Sequence, residues 1–228
     1  MRTTGFLFLL LYIIASILHL IASWKDDRKK RAATKPFLLI FLLLFYVFCS
    51  PKIFIALVLA LLTSWLGDVL LIPNGHGWFT AGGISFMASH VFFIMVYLEK
   101  ISVEGVIWWI VIPAAVLYFG ISFNIIHITA PTTPKKMVLP MHVYLLLNST
   151  MNIFALMQLM NNPCRAAWIA YIGAVLFFIS DCTLFLVRYS AHPERIFKKH
   201  FSVMLTYLLG EAMITIGVMM LHGFVWKM

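Results

Sequence analysis

The feature that most constrains this chain is a succession of long apolar segments, each separated from the next by a short polar gap. A helix needs about 20 mostly apolar residues to cross the hydrocarbon core of a bilayer. Eight segments approach this length, at residues 5–24, 36–50, 52–72, 81–98, 106–126, 138–160, 166–187 and 202–222. The sequence therefore predicts an all-α polytopic membrane protein, built as a bundle of about eight transmembrane helices.

The overall composition excludes most other protein classes. Hydrophobic residues make up 63% of the 228 positions and charged residues 11%, and the mean hydropathy is +0.98. A soluble domain usually has about 45–50% apolar and about 25% charged residues. A soluble enzyme, a secreted disulfide scaffold and a disordered chain are therefore excluded. Because no polar gap is long enough for a soluble domain, residues 1–228 are predicted to form a single transmembrane domain.

The basic residues are distributed unequally between the two sides of the predicted bundle. Twelve of the 17 Lys and Arg residues lie in the gaps after helices 1, 3, 5 and 7, and five lie on the side with both termini. The positive-inside rule then places both termini outside the cytosol. Headgroup contacts account for the net charge of +9, so no nucleic acid partner is expected. We expect a bacterial inner membrane, because the compact chain carries no eukaryotic sorting signal.

One gap carries half of that charge asymmetry. The stretch from Lys25 to Lys35 contains six basic residues and is predicted to be a solvated loop at the level of the lipid headgroups. Helix 2 is then predicted to be short, because it begins only at Pro36 and runs directly into Ser50-Pro51.

Ionisable side chains inside the apolar segments are the candidate functional groups. A carboxylate in a bilayer costs at least a few kcal/mol, so it usually faces the bundle interior and marks function. Asp68 lies near the end of helix 3, Asp181 in the latter part of helix 7 and Glu211 in helix 8. At about 1.5 Å per residue, they lie with His90 and Tyr144 within about 14 Å of the basic side. These residues are predicted to line a polar cavity that opens toward the basic, cytosolic face.

Further polar residues continue this pattern and also admit a structural interpretation. Tyr207 precedes Glu211 by one helical turn and shares its face, and Tyr144, Asn148 and Asn152 form a stripe along helix 6. In membranes such side chains often serve as interhelical hydrogen-bonding groups. A common depth on helices of opposite direction nevertheless favours a shared site over scattered structural groups.

At these positions the chain resembles the YhhN-type lysoplasmalogenase family of integral membrane enzymes, which have eight helices. In chain order, the resemblance is carried by Lys35-Pro36, Gly67-Asp68-x-x-Leu71, Gly83-x-x-Phe86-x-x-x-His90, Tyr144, Gly173, Ile179-Ser180-Asp181-x-x-Leu184 and Tyr207-x-x-x-Glu211. Each short motif is weak alone, whereas their order and spacing over nearly the whole chain are fairly specific. One departure is Glu211, because Gln is expected at this position of the family.

The resemblance implies hydrolysis of the vinyl ether bond of lysoplasmalogens to a fatty aldehyde and a glycerophospho-headgroup. Protonation of the β-carbon of the vinyl ether leaves an oxocarbenium ion, which water captures. This chemistry needs one protonated carboxylic acid and one carboxylate, as in glycosidases that stabilise a similar cation. Burial and the proximity of two carboxylates favour a single proton on the pair. Asp68 and Asp181 are therefore predicted to be the catalytic pair, in either order.

The remaining motif residues are expected to support the reaction. The residues predicted to orient water or to bind the glycerol hydroxyl are His90, Tyr144, Tyr207 and Glu211. Lys35 is predicted to meet the substrate phosphate at the cavity mouth. The reaction requires no metal and no cofactor, and the expected ligands are a lysophospholipid substrate and membrane lipids. The eight histidines form no H-x-x-x-H or H-E-x-x-H pair, which disfavours a zinc hydrolase.

Two other functional classes remain open at this point. A proton-coupled transporter of small molecules or lipids would also use buried carboxylates. The small-Asp-x-x-Leu segments of helices 3 and 7 hint at an internal repeat of the kind found in transporters. An intramembrane aspartyl protease is less favoured, because Gly67-Asp68 lacks the first glycine of a Gly-x-Gly-Asp motif and lies on the earlier helix.

Overall fold

The computed structural model describes residues 2–225, and its helices follow the predicted apolar segments. Within this range the chain forms eight α-helices and no strand. In chain order they are α1 (Arg2–Trp24), α2 (Arg28–Cys49), α3 (Ile55–Leu70), α4 (His76–Leu98), α5 (Trp108–Thr129), α6 (Lys135–Asn161), α7 (Arg165–Tyr189) and α8 (His200–Leu221). Seven of them are long and apolar enough to cross a membrane, and α3 is shorter. The all-α polytopic class is therefore confirmed.

Helix α2 is longer than predicted, because the basic stretch before it is itself helical. The prediction of a solvated loop over Lys25–Lys35 is wrong from Arg28 onward, where α2 begins. The backbone N–H of Lys30 donates to Asp27 Oδ1 at 3.1 Å, which caps the helix and lowers the pKa of the Asp27 carboxyl. Lys and Arg are also good helix formers, and their long side chains reach water from a helix end. The shortest helix is instead α3, with 16 residues.

The helices enclose a common interior. Three pairs of chain neighbours pack extensively against each other, namely α1 with α2, α3 with α4 and α7 with α8. Contacts between α2 and α3, α4 and α6, α6 and α7, and α8 and α1 close these pairs into a ring. Helix α5 lies outside the ring against α6 and α7, and it exposes large apolar side chains such as Trp109, Ile112 and Val116. This surface suits contact with lipid tails.

Small residues bring α7 and α8 into backbone contact. A Cβ atom added at Gly210 would lie 2.9 Å from the carbonyl oxygen of Gly173 and 2.9 Å from the backbone nitrogen of Phe177. At Gly217 it would lie 2.5 Å from the backbone nitrogen of Ala170. Only glycine fits such a crossing, as is common where membrane helices approach closely. This crossing fixes the polar residues of α7 relative to those of α8.

One end of the bundle, which we call the basic end, is where α1, α3, α5 and α7 finish and the even-numbered helices begin. Because α4 begins at His76, earlier than predicted, His90 lies about 21 Å from the start of its helix. Asp68 lies only two residues before the end of α3. The polar side chains therefore form a column running inward from the basic end, rather than one layer at equal depth. Lys227, a basic residue assigned to the opposite side, lies outside the described residues.

Candidate active site

The two predicted catalytic aspartates line the same cavity. This cavity has a volume of about 190 Å³, and its wall includes Lys35, Asp68, Asp181 and Tyr207. These side chains come from α2, α3, α7 and α8 respectively. Apolar side chains of α4, α7 and α8 complete the wall. A polar end and an apolar wall in one cavity suit an amphiphilic ligand.

Asp68 is held by one cation and one hydroxyl. Lys35 Nζ lies 3.1 Å from Asp68 Oδ1, and the two side chains are 14% and 3% exposed. The Tyr207 hydroxyl donates to Asp68 Oδ2 at 2.9 Å. Asp68 therefore forms a largely buried ion pair between α2 and α3, and its hydrogen bond from Tyr207 links this pair to α8. Lys35 was expected at the cavity mouth to meet a phosphate, and it does line the cavity, but its nearest charge is Asp68.

Asp181 has neutral hydrogen-bond donors. The Tyr144 hydroxyl donates to Asp181 Oδ2 at 2.9 Å, and Asn148 Nδ2 donates to the same oxygen at 2.8 Å. His90 Nε2 lies 3.3 Å from Asp181 Oδ2, although the ring is not aligned for a hydrogen bond. All three contacts involve Oδ2. Within residues 2–225, Oδ1 has no hydrogen-bond partner, and Asp181 lines the cavity.

Glu211 lies deeper in the bundle than the cavity. Its side chain is fully buried, and neither carboxyl oxygen has a hydrogen-bond partner among the described residues. The Ser64 hydroxyl lies near it without forming a well-aligned hydrogen bond, and the Tyr97 hydroxyl is likewise buried without a partner within residues 2–225. A buried polar atom without a partner is costly. Among the described residues, Glu211 therefore neither lines the cavity nor forms a hydrogen bond with either aspartate, although it lies one turn beyond Tyr207.

Packing explains the glycine in the motif of α3 and the phenylalanine in the motif of α4. A Cβ atom at Gly67 would lie 2.6 Å from the Phe86 ring, so glycine at this position allows the ring to pack beside Asp68. The Phe86 ring also makes an edge contact with the Tyr207 ring, with centroids 5.9 Å apart. The Gly67-Asp68 and Phe86-x-x-x-His90 motifs thus meet in space at the cavity wall.

Two residues near the cavity have a larger role than their sequence context suggested. Asn148 belongs to the polar stripe of α6, which the sequence alone leaves open to a purely interhelical role, yet it donates directly to Asp181. In the sequence, Arg188 contributes only to the charge asymmetry, but in the structure it lines the cavity about two helical turns beyond Asp181. The i, i+7 spacing of Asp181 and Arg188 was the available signal, since residues seven apart share a helix face.

The chemistry available at this site is proton transfer between carboxyl groups and a bound ligand. Two carboxyl groups line one cavity, and hydroxyl, amide and ammonium donors fix their orientation. Within residues 2–225, no group of three or more His, Cys, Asp or Glu side chains is placed to hold a metal ion.

Comparison with known proteins assigns the chain to a family. The family model described as the YhhN family matches residues 30–218, which is most of the chain. This range includes every predicted site residue from Lys35 to Glu211. Searches of curated proteins and of solved structures gave no significant match. The chain belongs to the YhhN family.

Proposed function

We propose that this protein is a lysoplasmalogenase, which hydrolyses the vinyl ether bond of lysoplasmalogens within the membrane. The observation that carries the proposal is the meeting of Asp68 and Asp181, from helices α3 and α7, at one cavity with an apolar wall. Membership of the YhhN family is compatible with this activity. By the positive-inside rule the cavity opens toward the cytosol, where a lysolipid enters from the inner leaflet.

The partners of the two aspartates suggest their roles. The Lys35 ammonium at 3.1 Å stabilises the ionised form of Asp68, because an opposite charge favours the charged state. Asp181 has no Lys or Arg within ion-pair distance among residues 2–225, and its free Oδ1 belongs to a side chain that faces the cavity. Asp181 is therefore the acid in this proposal, and Asp68 is the carboxylate.

The reaction then proceeds in balanced steps. Asp181 transfers its proton to the β-carbon of the vinyl ether, which gives an oxocarbenium ion and the Asp181 carboxylate. Asp68 takes a proton from water as the water oxygen bonds to the cation, and a hemiacetal forms. The hemiacetal loses its hydroxyl proton while the glycerol oxygen gains one, which releases the aldehyde. Transfer of the proton from Asp68 to Asp181 through solvent restores the starting state.

The other motif residues support these steps in different ways. Tyr207 and Tyr144 each orient one carboxyl group. His90 lies beside Asp181, where it can orient water. A neutral Glu211 would offer the same kind of donor as the Gln expected at this position, and its burial without a partner favours the neutral form.

The proposal is tested by measuring aldehyde release from a vinyl-ether lysolipid by the purified protein in detergent. Wild type, Asp68→Asn and Asp181→Asn are compared, with an ester lysolipid as the control substrate. We expect aldehyde from wild type alone, with both variants folded. A folded wild type that releases no aldehyde would refute the proposal.

Proton-coupled transport is the second candidate, and one observation favours it. In the described part of the chain, buried polar atoms without hydrogen-bond partners occur in His90, Tyr97 and Glu211. Buried ionisable groups of this kind are typical of proton pathways through membrane proteins. A transporter needs a gradient and releases its substrate unchanged. Aldehyde formation in detergent, where no gradient exists, therefore separates the two candidates.

A further inference from the structure

A second cavity, which we call the basic vestibule, adjoins the aspartate cavity at the basic end. Its volume is about 340 Å³, which is within the range of small-ligand sites. Four Lys and Arg side chains line it, from the start of α2 and the end of α7, and no carboxylate of the described residues does. They are Arg28, Arg31, Lys35 and Arg188. The imidazoles of His19 and His200 complete its polar wall.

Two of these four cations are already paired with carboxylates. Lys35 pairs with Asp68 at 3.1 Å, and Arg31 Nη1 lies 3.0 Å from Asp26 Oδ1. Among residues 2–225, Arg28 and Arg188 have no carboxylate within ion-pair distance. The vestibule therefore has an excess of positive charge that the protein itself does not neutralise.

Arg188 is held in a geometry that leaves its donors available. Its guanidinium carbon lies 3.8 Å from the centroid of the Phe79 ring, and its Nε lies 3.4 Å from the Tyr189 hydroxyl. Among residues 2–225 the two Nη groups have no hydrogen-bond or ion-pair partner, so their N–H groups can bind two oxygens of an oxyanion. The ring beneath it is 92% buried, since Phe79 is 8% exposed. The arginine is thus positioned before any ligand arrives.

The vestibule and the aspartate cavity share part of their walls. Both are lined by Lys35, Arg188, His200 and Asn74. Helix α8 begins at His200 without a side-chain cap, and such a helix end adds partial positive charge. A ligand that binds an anionic group between Lys35 and Arg188 can therefore extend its adjoining atoms toward Asp68 and Asp181.

We propose that the basic vestibule is a phosphate-binding subsite in which Arg188, supported by Arg28, binds the phosphate ester of the lysolipid. The proposal rests on the proposed function and specifies how its substrate is recognised. In a lysoplasmalogen the three-carbon glycerol joins the phosphate to the vinyl ether oxygen. Binding of the phosphate at Arg188 would therefore place the vinyl ether within the aspartate cavity and leave the alkenyl chain along its apolar wall.

The first test compares two vinyl-ether substrates, 1-alkenyl-glycero-3-phosphocholine and 1-alkenyl-glycerol, which lacks the phosphate. We expect wild type to prefer the phosphate-bearing substrate, and Arg188→Met to reduce that preference in kcat/KM by about 10- to 100-fold. Arg28→Met should reduce it less. Arg188→Lys should recover only part of it, because lysine keeps the charge but has no planar donor fork.

Matched controls come from basic residues outside the vestibule. Lys29 and Arg195 are exposed and line neither cavity, so Lys29→Met and Arg195→Met should leave the substrate preference unchanged. Inorganic phosphate, added as a competitor, separates the two sources of the anion. Inhibition of wild type that disappears in Arg188→Met would show that the subsite also binds free phosphate. If phosphate does not inhibit wild type, although the preference for the phosphate-bearing substrate is present, the subsite binds only lipid-linked phosphate.

A binding measurement keeps this inference separate from the proposed function. The stabilising effect of 1-acyl-glycero-3-phosphocholine on the Tm should exceed that of a monoacylglycerol of equal chain length, and the difference should vanish in Arg188→Met. If wild type forms no aldehyde but shows this difference, the proposed function fails and the subsite stands. A preference for phosphate-bearing lipids that is equal in wild type, Arg188→Met and Arg28→Met would overturn the subsite.

Discussion

Asp68 and Asp181 face the same cavity, but their partners differ in charge and in number. Each accepts a hydrogen bond from a tyrosine hydroxyl at 2.9 Å. Asp68 has in addition one ammonium group, from the 14% exposed Lys35. Asp181 instead has the amide of Asn148 at 2.8 Å and an imidazole at 3.3 Å. Asp68 therefore belongs to an ion pair near the basic end, whereas Asp181 accepts hydrogen bonds from a hydroxyl and an amide.

This difference is the basis on which the proposed mechanism assigns opposite protonation states to the two carboxyl groups. A nearby cation favours the ionised form of a carboxyl group. Burial among uncharged donors, without such a cation, favours the protonated form. The same logic separates acid and base in two-carboxylate glycosidases.

The largest effect is expected from removal of the acid. Asp181→Asn should lower the rate of aldehyde release by about 10³- to 10⁴-fold, and Asp68→Asn by about 10²-fold, because general acid catalysis contributes within this range. Single-turnover measurements on both folded variants test whether the rate loss is larger for Asp181→Asn than for Asp68→Asn. A larger loss for Asp68→Asn would reverse the roles assigned to the two residues.

The next effect concerns the ion pair of Asp68. Lys35→Met should lower the free energy of unfolding by about 3–5 kcal/mol, because it leaves a buried carboxylate without its partner. The double variant Lys35→Met/Asp68→Asn should recover part of this loss, since no unpaired charge remains. Thermal and denaturant unfolding in detergent measure both values.

The matched control for Lys35 is the exposed pair at the opposite end of the bundle. Lys52 Nζ lies 3.5 Å from Glu99 Oε1, and the lysine side chain is 66% exposed. Lys52→Met should cost less than about 1 kcal/mol, because water screens such a pair. Equal losses at Lys35 and Lys52 would contradict a buried ion pair at Asp68.

A smaller effect is expected from the helix crossing that holds the two sides together. Gly210→Ala should lower the free energy of unfolding by about 1–3 kcal/mol, because its methyl group overlaps the backbone of α7. Gly120→Ala in α5 is the control, since a Cβ atom there meets nothing within 4 Å. Helix propensity predicts no loss at Gly120 and a gain of up to about 1 kcal/mol. Equal destabilisation of the two variants would argue against the α7–α8 contact.

The finest comparison, a difference of about 1 kcal/mol, is between the two tyrosines. Tyr207→Phe removes the hydroxyl that donates to Asp68 and should cost about 1.5–3 kcal/mol, the range for a hydrogen bond to a charged group. Tyr144→Phe should cost about 0.5–1.5 kcal/mol, because Asn148 still donates to the same oxygen of Asp181. Unfolding measurements on both variants rank them, and a larger loss for Tyr144→Phe would count against an ionised Asp68.

Much of the fold could be predicted from the sequence, because the length and hydropathy of a transmembrane helix are local properties. The errors lie at the helix ends. The stretch after Asp27 was predicted to be a loop because of its charge, although its cap and its helix-forming residues extend α2 to Arg28. Likewise, α4 begins at His76, where polar and glycine residues obscure the start of the helix.

The site could be predicted only as a set of residues. The cost of a carboxylate in a bilayer singles out Asp68, Asp181 and Glu211 without any structure. Their partners could not be deduced in the same way, since a contact between helices depends on the depth and rotation of both. The structure pairs Lys35 with Asp68 but leaves Glu211 without a partner among residues 2–225.

The sequence by itself determined the polytopic class, the helices and the side chains that have no place in lipid, because each follows from the chemistry of one segment in one solvent. Only the tertiary structure decided which aspartate receives a cation, which receives neutral donors, and that Arg188 stacks on Phe79 beside both. Those pairings depend on how closely neighbouring helices pack. At Gly67 and Gly210 that approach is set by the absence of a single Cβ atom.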